Sequence, residues 1–204
     1  MAIISWQEGI RKADEHALWS MRGKAIQNYA NLEQALCRIF SLISGTDEDV
    51  ATIIFFKISS YDARNKIIEK LFKKKFGAAY NLFRNSLLED LRPINIERNE
   101  IVHWGVTNMM SANEASETIA TLTLKPLTAW MFDPNAPSKT TDDLITFSHK
   151  CWFYARLCNM FYVIEKGTMI NFPKSERQTW IDIFQQPIVY PPPEAHPLYL
   201  KPQA

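Results

Sequence analysis

Apolar side chains recur every three or four residues along most of this 204-residue chain, and that spacing predicts helices. Residues 5–44 read as one long helix or two collinear ones, with Gly23 the single weak point. Its second half carries Ile26, Tyr29, Leu32, Leu36, Ile39, Phe40 and Ile43 on one stripe that must pack against a neighbour. Gly45 stops it, and Thr46, Asp47 and Asp49 mark the start of a second helix over 47–57, with Val50, Ile53, Ile54 and Phe56 expected inward. Ser59 and Ser60 offer N-caps for a third helix over 61–76, whose apolar positions are Ile67, Ile68, Leu71, Phe72 and Phe76, and Gly77 ends it. A fourth covers 78–91, with Leu82, Phe83, Leu87 and Leu88 expected buried. Proline disfavours helical geometry at the residue before it, so a break or kink is expected at Pro93, with Asn95 capping a new segment.

After Trp104 and Gly105 the period changes. Residues 117–130 contain the alternating β-branched run Thr118 to Leu124, and 106–110 can pair with it, which predicts a short hairpin joined by the polar stretch 111–116. Residues 133–138, with Pro134 and Pro137, read as a loop. Thr140 or Thr141 then caps a long helix reaching about Lys166, with Asp142 and Asp143 matched to the dipole of its first turn. Leu144, Phe147, Cys151, Tyr154, Cys158 and Phe161 share one broad face of it, and Gly167 closes it. A short helix is expected over 175–184. The tail 186–204 holds Pro187, Pro191, Pro192, Pro193, Pro197 and Pro202, and is expected to be extended, draped on the domain or loose.

The organisation is therefore mainly α: one helical domain over 1–185 with a hairpin inserted at about 106–131, followed by a Pro-rich tail. A hydrophobic fraction of 47% and a charged fraction of 22% supply ample material for a core. Cys37, Cys151 and Cys158 make no C-x-x-C pair, and Cys37 and Cys158 lie in apolar helical patterns, where reduced buried thiols are expected. No signal-peptide core follows residues 1–6, and no apolar run approaches a membrane span, so a cytoplasmic setting without membrane contact is expected. The formal net charge of +1 gives no bulk attraction to nucleic acid, so any such contact rests on a local patch.

One patch is visible. Residues 57–75 hold Lys57, Arg64, Lys66, Lys70, Lys73, Lys74 and Lys75 against Asp62 and Glu69, a local balance of +5. Lys66, Lys70, Lys73 and Lys74 stand three or four apart and share a helical face. That face is either an ordinary solvated one or a phosphate-backbone track, with Arg64 and Tyr61 near its start. Elsewhere His149 and Cys151 are two apart and face different ways, and no zinc pattern, Gly-rich phosphate loop or nucleophile elbow is present, so no metal or cofactor is expected.

The stretch with the most chemistry is Glu97-Arg98-Asn99-Glu100-Ile101-Val102-His103-Trp104. On a helix Asn99 and His103 stand four apart and face the same way. Arg98 lies about 100° round, but its long stem can swing the guanidinium to the same spot. Arg98 followed at once by Asn99, with His103 five residues after the Arg, resembles the Arg-x-x-x-x-His hallmark of the HEPN superfamily. Upstream, Tyr29, Leu32, Glu33 and Leu36, then Asp62 to Ile68 with Leu71, are similar to the first helices of such bundles. The hairpin and the Pro-rich tail are not part of the common pattern.

The resemblance implies a HEPN-like helical bundle that dimerises so that two motifs meet in one cleft. It implies a metal-independent endoribonuclease, such as a toxin or defence protein with a neutralising protein partner. The alternative within the family is a non-catalytic interaction or nucleotide-binding module. In the catalytic case His103 would move the proton of a ribose 2′-hydroxyl or of the leaving 5′-oxygen, Arg98 would hold the phosphate, and Asn99 would orient one of them. Lys66, Lys70, Lys73, Lys74 and Arg64 would hold the RNA backbone. One His per protomer cannot easily serve as both acid and base, which makes a second His103 from the mate attractive.

Overall fold

A computed structural model describes residues 2–112, 118–128, 135–168 and 173–201, leaving aside the side chains of 2–14, 108–112 and 118–120. Most of the expected connection 111–116, the start of the loop 133–138 and the last three residues of the tail fall outside it. The described chain is mainly helical with one small antiparallel sheet: α1 Ala2–Ser44, α2 Glu48–Lys57, α3 Tyr61–Phe76, α4 Asn81–His103, β1 Gly105–Ala112, β2 Thr118–Lys125, α5 Thr141–Lys166 and α6 Lys174–Phe184. Among the described residues no helix is long and apolar enough to cross a membrane.

Local chemistry explains most of these boundaries. The Asp47 carboxylate accepts from the Asp49 N–H to start α2, and the Ser60 hydroxyl accepts from the Ala63 N–H to start α3. Thr140 and Asp143 bond reciprocally at the head of α5, each side chain accepting from the other's backbone N–H, which satisfies two donors that the helix leaves over. Gly77 takes a φ of 60° and bonds its N–H to the Lys73 carbonyl, a left-handed stop that any side chain would strain.

Several expectations need correcting. Pro93 does not break the helix, because α4 runs unbroken from Asn81 to His103 with the proline inside it. The carbonyl that loses its donor belongs to Glu89, and both residues face solvent, where water can replace the bond. Phe83, Leu87, Leu91, Ile94 and Ile101 are all buried along α4, so core packing supports it on both sides of the proline. The second correction concerns α2. Val50, Ile53, Ile54 and Phe56, expected inward, are exposed, and Ala51 and Phe55 are the buried pair. Outside α2, Leu82 of α4 and Ile26 of α1, both expected on packed faces, are likewise exposed.

The chain divides into two compact units, Met1–Asn28 with Ile96–His149, and Tyr29–Asn95 with Lys150–Ala204. In the first, β1 and β2 pair from Gly105↔Lys125 to Ala112↔Thr118, and an isolated antiparallel bridge joins Leu124 to Lys139. Thr123 and Leu124 are fully buried. The Asn28 amide holds the Ser148 hydroxyl at 2.7 Å. The second unit is built on an aromatic core in which Phe161 stacks on Phe72 and Phe83 and meets Phe184 edge-on, with centroids 5.1–5.3 Å apart. Two buried tyrosines in it are paired, Tyr29 with Asn95 at 3.0 Å and Tyr154 with Asp90 at 2.6 Å. Cys37, Cys151 and Cys158 are buried and in no disulfide, and burial pushes the Cys158 thiol up to about 12. The described tail packs inside this unit: the Ile188 N–H donates to Ser86, Tyr190 lies on Phe153, and His196 contacts Phe153 and Trp180.

Candidate functional site

Arg98, Asn99 and His103 occupy the last two turns of α4, in the first unit. Ile101 anchors these turns, being fully buried, while Asn99 and His103 are exposed on the face they share by spacing. Arg98 Nη1 donates to Asn99 Oδ1 at 2.8 Å, so the guanidinium swings toward the Asn99 side chain. Among the described residues the His103 imidazole has no hydrogen-bond partner. A cation, an amide and an imidazole thus stand on one short stretch with solvent access.

Two residues that sequence reasoning did not single out organise this stretch. Arg22, on α1, donates through Nη2 to the carbonyl oxygens of Val102 and Trp104, at 2.9 and 3.1 Å. These carbonyls flank His103 at the end of α4, where backbone acceptors have no helical donor, so the Arg22 guanidinium caps the helix C-terminus. Burial lowers its pKa, and its guanidinium also lies over the Trp19 ring at 5.1 Å. The second is Lys139. Its Nζ meets Glu97 at 3.0 Å and Glu100 at 3.1 Å, with a side chain only 15% exposed. Burial alone would lower the Lys139 pKa, but hydrogen bonds to the two carboxylates more than offset that and leave it raised. The backbone bridge of Lys139 to Leu124 sets this ammonium in place, which gives the hairpin a role in holding the motif. Both glutamates beside Arg98 are therefore paired with Lys139.

The lysine patch is in the second unit. Lys66, Lys70, Lys73 and Lys74 are all exposed on α3, and Lys73 pairs with Glu69 at 2.5 Å. Arg64 is differently placed. It is 13% exposed, bonded to Glu33 at 2.9 Å and laid over Phe55, so its charge is committed within the unit. It also lines a cavity of about 10 Å³ with Tyr61, room for roughly one water, and among the described residues the buried Tyr61 hydroxyl has no well-aligned partner, with Asn65 beside it. Burial raises the Tyr61 pKa. A larger cleft of about 390 Å³ lies among Phe153, Ile183, Ile188, Val189 and Pro193 in the same unit. Neither cavity is lined by Arg98, Asn99 or His103.

No family model, no curated protein and no solved structure matches this sequence, so its chemistry rests on its own fold and residues.

Proposed function

We propose that this is a HEPN-like helical protein that cleaves RNA without a metal, as a cytoplasmic homodimer of toxin or defence type. The observation that carries the reading is the end of α4: His103 and Asn99 exposed on one face, with the Arg98 guanidinium drawn to Asn99 at 2.8 Å. In this reading the ribose 2′-oxygen attacks the neighbouring phosphorus, the bond to the 5′-oxygen breaks, and a 2′,3′-cyclic phosphate and a 5′-hydroxyl result. One His103 takes the 2′-hydroxyl proton, and His103 of the partner subunit returns a proton to the leaving oxygen. Arg98 offsets the charge that builds on the phosphoryl oxygens. Arg22 and Lys139 do not touch substrate; they hold the helix end that presents His103. The four α3 lysines would carry the RNA backbone, and a neutralising protein partner would bind elsewhere on the surface.

The test is cleavage of varied RNAs by purified protein in the presence of chelator. His103→Ala is expected to lower the rate by about 10²–10⁴ with the circular dichroism spectrum unchanged, and the product should carry a cyclic phosphate. Absence of His103-dependent cutting on every RNA overturns the enzymatic reading. A specific observation then favours a non-catalytic HEPN-like interaction module instead: the uncovered apolar face of α2.

A further inference from the structure

Helix α2 carries its apolar residues on the wrong side for its own core. Val50, Ile53, Ile54 and Lys57 fall at helical spacing on one stripe, and the three apolar members are 46%, 66% and 42% exposed, with Phe56 beside them at 47%. A contiguous apolar face of this kind, turned to water, marks a contact surface. We propose that this face docks a second copy of the protein, α2 against α2 of the mate, antiparallel about a two-fold axis.

The charges along the helix select that occupant. Asp47, Glu48 and Asp49 stand at its start and Lys57 at its end. Glu48 is already engaged by Lys166 and by the Tyr162 hydroxyl. Asp49 and Lys57 are exposed, and among the described residues neither has an ion-pair partner. Eight residues apart, they stand about 12 Å from each other along the axis and cannot pair within one helix. In an antiparallel pair Lys57 of each copy meets the acidic first turn of the other, and the two-fold repeats that contact. The helix dipoles oppose one another in the same arrangement, whereas a parallel pair would set like charges together. A second copy therefore supplies both the apolar stripe and the reversed charge order that the face requires. Ten residues span about 15 Å and bury less than the roughly 800 Å² per partner of a standard interface, so the association is expected in the range of tens of micromolar. The inference stands on α2 alone and does not depend on the RNA reading, which uses none of these residues.

Sedimentation of the full-length protein at low salt, from about 1 to 300 µM, tests it. Wild type is expected to show an association step in the tens of micromolar, and Ile53→Lys to remove that step, leaving any dimer made through the His103 cleft in place, while the circular dichroism spectrum stays unchanged. Asp49→Lys and Lys57→Asp should each weaken the step several-fold, and the double variant should restore it, because the exchanged charges again face one another. A wild type that stays monomeric throughout, an Ile53→Lys variant that associates as before, or a double variant weaker than both single ones overturns the proposal.

Discussion

Arg84 shows how much one residue can cost its fold. It is 4% exposed, its Nε and Nη2 both donate to the Asn85 carboxamide, and among the described residues its Nη1 is buried without a partner. A buried charge bonded to an amide, with no carboxylate in direct contact among the described residues, is expensive, and an apolar side group of similar length removes the penalty. Arg84→Met is accordingly expected to stabilise the protein by about 1 kcal/mol or more in urea denaturation. A loss of stability would mean that the guanidinium has a favourable partner. The motif residues sit at the other extreme. Asn99 and His103 share a face because they are four apart on a helix, and Arg98 reaches Asn99 because they are adjacent, so this geometry was legible in the sequence. Arg22 and Lys139 were not. They act on α4 across 80 and 42 positions, and no local pattern marks a lysine or arginine for such a task.

At the scale of elements, α4 and α2 illustrate opposite outcomes. Proline removes a backbone donor and crowds the preceding turn, which argues for a break; five buried residues along α4 argue for continuity, and packing prevails. Pro93→Ala restores the lost bond and is expected to raise stability by about 1–3 kcal/mol, read as a higher melting temperature. Should it destabilise instead, the proline serves a bend that the fold requires. In α2 the local rules hold for the cap and the span, yet the choice of buried face departs from expectation. Hydrophobicity identifies residues that gain from leaving water, but it does not say which of them the neighbouring helices will cover. On α5 the two agree: Leu144, Phe147, Cys151, Tyr154, Cys158 and Phe161 are all buried as the period indicates.

For the molecule as a whole, a net charge of +1 gives no bulk attraction to RNA, so any such affinity has to rest on a local patch, for which the α3 stripe is the candidate. If Lys66, Lys70, Lys73 and Lys74 track a phosphate backbone, the logarithm of RNA affinity should fall steeply with the logarithm of salt concentration. Each Lys→Ala change should then lower that slope by roughly 0.7–1 with little effect on which RNA is preferred, as measured by fluorescence anisotropy. Lys73 is expected to contribute least, since Glu69 already neutralises it. An unchanged slope in the quadruple variant would assign the stripe to ordinary solvation. By itself the sequence determined the helical course of the protein, most of its caps and stops, the hairpin, and the shared face of Asn99 and His103. All of these follow from backbone sterics and short-range hydrogen bonding within a few residues. Tertiary structure alone decided that α4 passes through Pro93, that α2 turns its isoleucines outward, that Arg64 is tied to Glu33, and that Arg22 and Lys139 hold the end of α4. Each depends on what a distant segment brings against it, and local period or propensity carries no record of that.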